Sequence, residues 1–501
     1  MSADNMTTKH INRRRFLQGA GAIAGALTLA GAGPGVSYAA AERKGTVTIS
    51  HWDWWVSQAP WVDDEIKLFE AAHPGITIKK TTNVTNQYAN LFALTVKSGN
   101  EPDVFMIPQT PTLADQVARG WLLPIDKWAT AAWRARFPTG SFHEGSDMFN
   151  GKLYSAPFGG SAPWLQLYIN HRVFRNAGLT NRDGSVKLPR TWDDVSRAAA
   201  TITKKSGGST YGLGFGNNQN FILAWWLELF VRGAGSPGGA YNMDYRVGRW
   251  TYATDRNYMD VIDLLLEWKN KGYFYPNGMS ISDEVARAFF ERGKFGMTVG
   301  GVWNQPEWTQ HHFTDYSLIT LPTPGATPKG YFYDTPGGSL WAISAKTKHP
   351  DEAWAWFDWL YSPAAGKRWV EMGEGLSIFP EDDNPRLIKF KPFAEYVATR
   401  KYVLPGPDVS VHNPQTSHVI QAAVHPDIND VMAGIYTGQI KDIKGSLAAL
   451  AARYHKALTD GIAQARKQGY KVSLSDYVFP DWDITKPYYT KPHQGYKPHQ
   501  G

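Results

Sequence analysis

Thr46-Val47-Thr48-Ile49-Ser50, running into His51-Trp52-Asp53-Trp54-Trp55, is the stretch on which the fold turns. β-Branched residues followed by an aromatic burst read as a strand and its carboxyl end. Asp63, Asp64 and Glu65 then stand where a helix N-terminus favours negative charge. Ile66, Phe69 and Ala72 follow at helical spacing, and His73-Pro74-Gly75 stops the helix. Ile76-Thr77-Ile78 reads as a second strand and Asp103-Val104-Phe105-Met106-Ile107 as a third. This β-α-β-α-β alternation predicts a parallel sheet covered by helices. Ligands of such sheets gather beyond the carboxyl ends of the strands. His51 to Trp55 and Pro108-Gln109-Thr110 are expected at those ends.

Outward from there, the alternation continues. Leu165 to Asn170 alternates like a strand, and Thr191 is a good N-cap for a helix beginning Trp192-Asp193-Asp194. Helices are expected over Phe221–Arg232, Tyr258–Lys271 and Val285–Phe290, with a strand over Phe295–Val299. Asp427–Tyr436 carries Ile428, Val431, Met432 and Ile435 on one face, and Ser446 is expected to cap a long helix after it. Two copies of Lys-Pro-His-Gln-Gly, at 491–495 and 497–501, read as part of a solvated tail.

Five hundred and one residues suggest roughly three domain-sized units or two large lobes. The chain has no cysteine, which excludes disulfides, thiolate metal sites and a cysteine nucleophile. Its formal charge is +7, but Lys9, Arg13, Arg14 and Arg15 against Asp4 put +3 of that before residue 40. The remainder is too weak to argue for nucleic acid. Arg13-Arg14-Arg15-Phe16-Leu17, an Ala/Gly-rich apolar run and the small residues Ser37 to Ala41 read as an export signal over 1–41. Paired arginines before Phe-Leu resemble the twin-arginine type; an ordinary secretory signal with a basic start is the alternative. The mature protein is expected outside the cytoplasmic membrane.

Most chemical motifs fail on context. Gly233-Ala234-Gly235-Ser236-Pro237-Gly238 fits G-x-G-x-x-G but follows a helix and contains proline. His143-Glu144 lacks a second zincin histidine, His311-His312 with Asp315 reads as a solvated loop, and Gly159-Gly160-Ser161-Ala162-Pro163 breaks the nucleophile-elbow pattern. The acids required of a calcium loop around Asn181–Gly184 are absent. No cofactor and no metal is expected. A glycosidase carboxylate pair remains open, with Asp53 the first suspect.

The aromatic share of 14% is what remains to be explained. Trp and Tyr present flat apolar faces with one polar handle. They match a sugar ring, which has a face of C–H bonds and a rim of hydroxyls. Trp354, Trp356 and Trp359 share an expected helix with Ala353, Ala355 and Phe357 and are assigned to packing. Trp52, Trp54, Trp164, Trp226 and Trp303 stand at element ends or loop edges, where a platform and a packing role are both open.

Several segments together resemble the extracellular solute-binding proteins of carbohydrate ABC importers, the maltose-binding-like group. They are Asn150 to Pro157, Leu167 to Asn170, Leu188 to Asp194, Gly293 to Trp303, Trp341 to Ser344, Lys348 to Trp354 and Val424 to Gly438. The resemblance implies an α/β fold of two lobes, each a mainly parallel sheet flanked by helices, joined by crossings around a ligand cleft. It places lobe 1 at 45–158 plus 302–360, lobe 2 at 159–301 plus 361–480, and a tail at 481–501. Carried onto this chain, the cleft residues are Trp52, Asp53, Trp54, Gln109 and Thr110 from the first lobe. Ser161 and Trp164 come from the entry crossing, Trp226 from the second lobe, Trp303 and Asn304 from a return crossing at Gly300-Gly301, and Gly337 and Gly338 from beyond it. Function is then non-enzymatic: a monomeric periplasmic protein that binds a carbohydrate and delivers it to transmembrane permease subunits. A secreted carbohydrate-active hydrolase or lyase is the alternative, as is a same-fold binder of polyols or glycerol phosphodiesters.

Overall fold

The computed structural model describes residues 46–491, apart from 326, 335–337, 384–387 and 389–390. The expected export signal, Gly337 and both ends of the repeat segment beyond 491 lie outside the described residues.

Strand β1 (Val47–Asp53), helix α1 (Ala59–Ala72), β2 (Ile76–Thr82), α2 (Thr85–Ser98) and β3 (Val104–Met106) form the expected alternation. β1 pairs in parallel with β2, from Val47↔Ile76 to Asp53↔Thr82, and with β3 at His51↔Val104. α1 begins at Ala59-Pro60, a turn before the acidic triplet. Glu65 is therefore not an N-terminal charge but a buried group held by Arg368 and Trp359. Ile49, Phe69, Phe105, Trp341 and Trp356 fill the core of this first lobe.

The second lobe is built on β4 (Gln166–Asn170), α3 (Trp192–Lys205), β5 (Tyr211–Leu213), α4 (Ile222–Ala234), β6 (Phe295–Gly300), α5 (Asn304–Gln310) and β7 (Tyr316–Ile319). Thr191 caps α3 in a reciprocal box with Asp194, as its sequence predicts. Strand order is β5-β6-β4-β7. Only β5 and β6 run parallel; β4 is antiparallel to both of its neighbours. The expectation of a mainly parallel sheet is thus corrected for this lobe, whose strands enter from opposite ends. β8 (Trp341–Ile343) returns to the first sheet, antiparallel to β3. α6 (Pro350–Leu360) and α7 (Pro363–Glu371) follow.

This topology moves the expected boundaries. The chain does not cross at Gly300-Gly301, because β7 still pairs with β4, from Leu167↔Ile319 to Asn170↔Tyr316. Tyr316–Ile319 stays on the second sheet, and the chain returns to the first sheet between β7 and β8. α7 remains with the first lobe, where Trp369 meets Trp61 at 5.1 Å and Arg368 binds Glu65. The chain then passes to late helices Ile428–Thr437 and Ile443–Lys467, whose Val431, Leu450 and Leu458 join the second core. The long helix is capped by Asp442, not Ser446, which lies within it. Residues 481–491 are largely exposed but anchored at three points: Trp482 is buried against Tyr333, Ile484 accepts from the Tyr333 hydroxyl, and Tyr488 donates to Pro405.

Three passages of chain lie side by side between the sheets. Pro157 bridges Ser339 and Gly159 bridges Ser377, both antiparallel, and Ile378 donates to Phe158 at 3.1 Å. Gly160 permits this approach, since a Cβ there would sit 2.5 Å from the Ser377 carbonyl oxygen.

Candidate functional site

The carboxyl end of β6 and the N-terminal half of α4 meet the entry passage in a wall of aromatic rings. Trp225 is met by Phe221 at 4.7 Å, by Trp303 edge-on at 5.5 Å and by Trp164 edge-on at 5.7 Å. Tyr241 adds a fifth ring, 6.0 Å from Trp164. All five are half-buried, packed against the second core with part of each side chain uncovered. Gly301 lets the Trp303 ring fold back over the backbone, where any Cβ would lie 2.1 Å from the ring.

Polar groups fix the turn behind this wall. The Tyr168 hydroxyl donates to the Gly301 carbonyl oxygen at 2.7 Å and accepts from Gln305 Nε2 at 3.4 Å. Burial pushes the Tyr168 phenol far up, so it stays a donor. Next to Trp303, Asn304 is fully buried, and neither its Oδ1 nor its Nδ2 has a hydrogen-bond partner. A buried amide with both ends unmet is expensive to retain.

Trp226 does not belong to the wall, which corrects the expectation. A helix turns about 100° per residue, so Trp226 points away from Trp225 into the core. There it is fully buried and stacks near Phe230 at 5.9 Å, with Phe274 edge-on at 5.2 Å. No ring face is left for a ligand.

The first-lobe residues form a separate group at the ends of β1 and β3. Asp53 is fully buried, its Oδ1 accepts from the Trp55 amide at 3.0 Å, and its Oδ2 lies 3.4 Å from His51 Nε2. It holds the Trp54-Trp55 turn in place instead of facing outward as expected. Trp52 and Trp54 are half-buried, and Trp54 meets Tyr88 edge-on at 4.9 Å. Gln109 and Thr110 are exposed on a turn that Gln116 Nε2 pins by donating to the carbonyl oxygens of Pro108 and Pro111. Ser161 is half-buried in the entry passage, and Gly338 is exposed beside Ser339. Ring contacts thus unite Trp164 and Trp303 through Trp225, and join neither Trp52 nor Trp54 to them.

An open cavity of about 1030 Å³ lies elsewhere on the second lobe, lined by Leu188, Arg190, Arg197, Thr320, Glu395 and Tyr402 among others. It contains none of the expected residues. Among the described residues, no group of three or more His, Asp or Glu side chains could hold a metal ion.

Residues 55–367 match the family model described as bacterial extracellular solute-binding protein. The chain belongs to this family. A putative binding protein of Brucella abortus (strain 2308) is 24% identical to the solute-binding protein described here over 329 residues, 65% of this chain and 74% of the relative. The GacH receptor of Streptomyces glaucescens GLA.O, solved without ligand and with acarbose, superposes with a TM-score of 0.62 at 18% identity, covering 83% of this chain and 100% of that one. A maltose/maltodextrin-binding MalE domain from Bdellovibrio bacteriovorus, bound to maltotriose, gives 0.58 at 16% identity over 84% and 99%. The solute-binding protein therefore has the two-lobed fold of these sugar-binding proteins. Among its described residues no helix is long and apolar enough to cross a membrane.

Sequence reading missed Phe221, Trp225 and Tyr241. Phe221 and Trp225 are four residues apart, as are Trp226 and Phe230, so two aromatic stripes run along one helix. The spacing shows both stripes but not which one faces the core of the solute-binding protein.

Proposed function

We propose that this solute-binding protein holds a carbohydrate between its lobes and delivers it to the transmembrane subunits of an ABC importer, without catalysis. The observation that carries the reading is the wall of Trp164, Trp225 and Trp303 beside Asn304, whose buried amide has no partner in the protein. Rings of this kind stack on the C–H face of a sugar, and an amide with free donors and acceptor suits its hydroxyls. The three passages at 157–159, 339 and 376–378 support a hinge about which the lobes close on ligand. Acarbose and maltotriose, bound by the two structural neighbours, fit the same chemistry. Export through the 1–41 leader, by the twin-arginine route, and action as a monomer complete the proposal.

Isothermal titration of the purified chain with maltotriose, raffinose and xylotriose tests it, with chromatography of the sugar afterwards. Saturable binding of at least one sugar, recovered intact, is expected. Absence of binding across an extended oligosaccharide panel refutes the reading, and released fragments favour the hydrolase alternative.

A further inference from the structure

The open cavity of about 1030 Å³ on the second lobe has no part in the aromatic wall, and its volume is that of a small-molecule site. Three stretches of chain line it. One is β7, the edge strand of its sheet, continued through Thr320 to Thr323. The second is Lys187 to Arg190 with the first turns of α3, and the third is the end of the helix Lys391–Ala398 with the turn after it. Leu179, Val186, Leu188, Leu321 and Pro328 give the lining an apolar part.

Four cations, Lys187, Arg190, Arg197 and Lys401, share this lining with two carboxylates, Asp194 and Glu395. Both carboxylates are already engaged within the fold. Asp194 Oδ2 accepts from the amides of Arg190 and Thr191, each at 3.0 Å, and its Oδ1 pairs with Arg197. Glu395 accepts from the Ser317 hydroxyl at 3.0 Å and the Leu318 amide at 3.1 Å, and pairs with Lys391 at 2.8 Å. Lys187, Arg190 and Lys401 are exposed, and among the described residues no carboxylate pairs with any of the three. Lys401 Nζ lies instead over the ring of Tyr402, another lining residue, at 5.1 Å. Like charges gathered around one concavity raise the local potential and favour an anion.

Thr320 is a second sign of a ligand. It lines the cavity, is 8% exposed, and its hydroxyl has no hydrogen-bond partner. Buried hydroxyls are nearly always paired. A peptide strand added to the β7 edge does not fit, because Glu395 already occupies the Leu318 amide that such a strand would need.

We infer that this cavity is a second ligand site, which takes a small organic anion carrying at least two negative charges on an apolar body. Lys187, Arg190 and Lys401 give charge-assisted contacts to the anionic groups, Thr320 donates from within, and the apolar lining covers the body. A phosphate monoester and a dicarboxylate share this chemistry. The inference does not rest on the carbohydrate reading, since the cavity shares no residue with the aromatic wall.

Phenyl phosphate and phthalate are the probes, each titrated calorimetrically into the full chain at low ionic strength, with affinity referred to the folded fraction. Saturable binding of at least one, with a raised melting temperature, is expected, and the better of the two tells phosphate ester from dicarboxylate. The double variant Arg190→Gln, Lys401→Gln should bind at least tenfold more weakly and melt without probe at the parental temperature. Replacing Lys97 and Lys441 by Gln, two exposed lysines outside the cavity, removes the same charge and should leave affinity at the parental value. The inference is overturned if neither probe binds the parent or if the Arg190 and Lys401 variant keeps parental affinity. It is overturned equally if the Lys97 and Lys441 control loses as much, because net charge and not the cavity is then responsible.

Discussion

Trp303→Ala separates a ligand platform from a packing residue, with Trp226→Ala as its counterpart. Trp303 is half-buried and meets Trp225 edge-on at 5.5 Å. Removing it costs the unliganded fold one such ring contact, about 0.5–1.5 kcal/mol, and part of the apolar burial of one side chain. If the ring stacks on sugar, the bound state loses a desolvated aromatic anchor, worth about 2–4 kcal/mol. That corresponds to a Kd roughly 30- to 700-fold weaker. Trp226 offers the opposite balance. It is fully buried among Phe230, Trp268 and Phe274, and its removal should cost the fold about 3–5 kcal/mol. Both variants are melted without ligand and titrated calorimetrically with the tightest panel sugar, with affinity referred to the folded fraction. The expected result is a crossed pattern: Trp303→Ala melts near the parent and binds poorly, while Trp226→Ala melts much earlier and binds normally. A Trp303→Ala chain that melts as early as Trp226→Ala and keeps parental affinity refutes the platform assignment.

Two further outcomes follow from buried acid and from the leader. Asp147 is fully buried, and desolvation pushes its carboxyl up to about 7 against the opposing Ser339 hydroxyl and His143. The folded chain then keeps a proton that the unfolded chain releases near pH ~4. Its contribution to stability is therefore present at acid pH, falls between about pH 4 and 7, and is flat above. Asp147→Asn should exceed the parent at pH 8 by on the order of 4 kcal/mol and converge with it near pH 4; equal melting temperatures at pH 8 would contradict this. Replacing Arg13 and Arg14 together by Lys should block export, read as loss of the protein from the periplasmic fraction; normal export would point to the general secretory route.

The strand and helix order of the first lobe was legible because each element carries its own punctuation: Thr46 to Ser50, His73-Pro74-Gly75, and the short run at 103–107. Thr191 with Asp194 was equally local, and its capping box stands as expected. What sequence did not show is pairing between distant segments. Gly300-Gly301 has the small residues of a crossing, yet β7 pairs with β4 and keeps the chain in the second lobe. Nothing in residues 316–319 states their partner. Likewise the aromatic count pointed to a flat-faced ligand surface, but the choice between Trp225 and Trp226 depends on which side of α4 meets the sheet. Asp53 attracted notice as a strand-end acid, while its amide partner at Trp55 is a property of the turn. The anchoring of Trp482, Ile484 and Tyr488 depends on Tyr333 and Pro405, far away in sequence, which composition alone does not show.

The aromatic wall draws its rings from four stretches of backbone: Trp164, Phe221 with Trp225, Tyr241, and Trp303. On the proposed reading, this has an evolutionary consequence. Each ring can be exchanged by a point substitution without altering the segment that carries its neighbour, so ligand range can drift one contact at a time. Behind the wall, Trp226 and Phe230 on the core-facing side of α4, together with Phe274, bear the load of folding and are insulated from that drift. Descendants of such a chain would be expected to diversify in appetite long before they diverge in architecture.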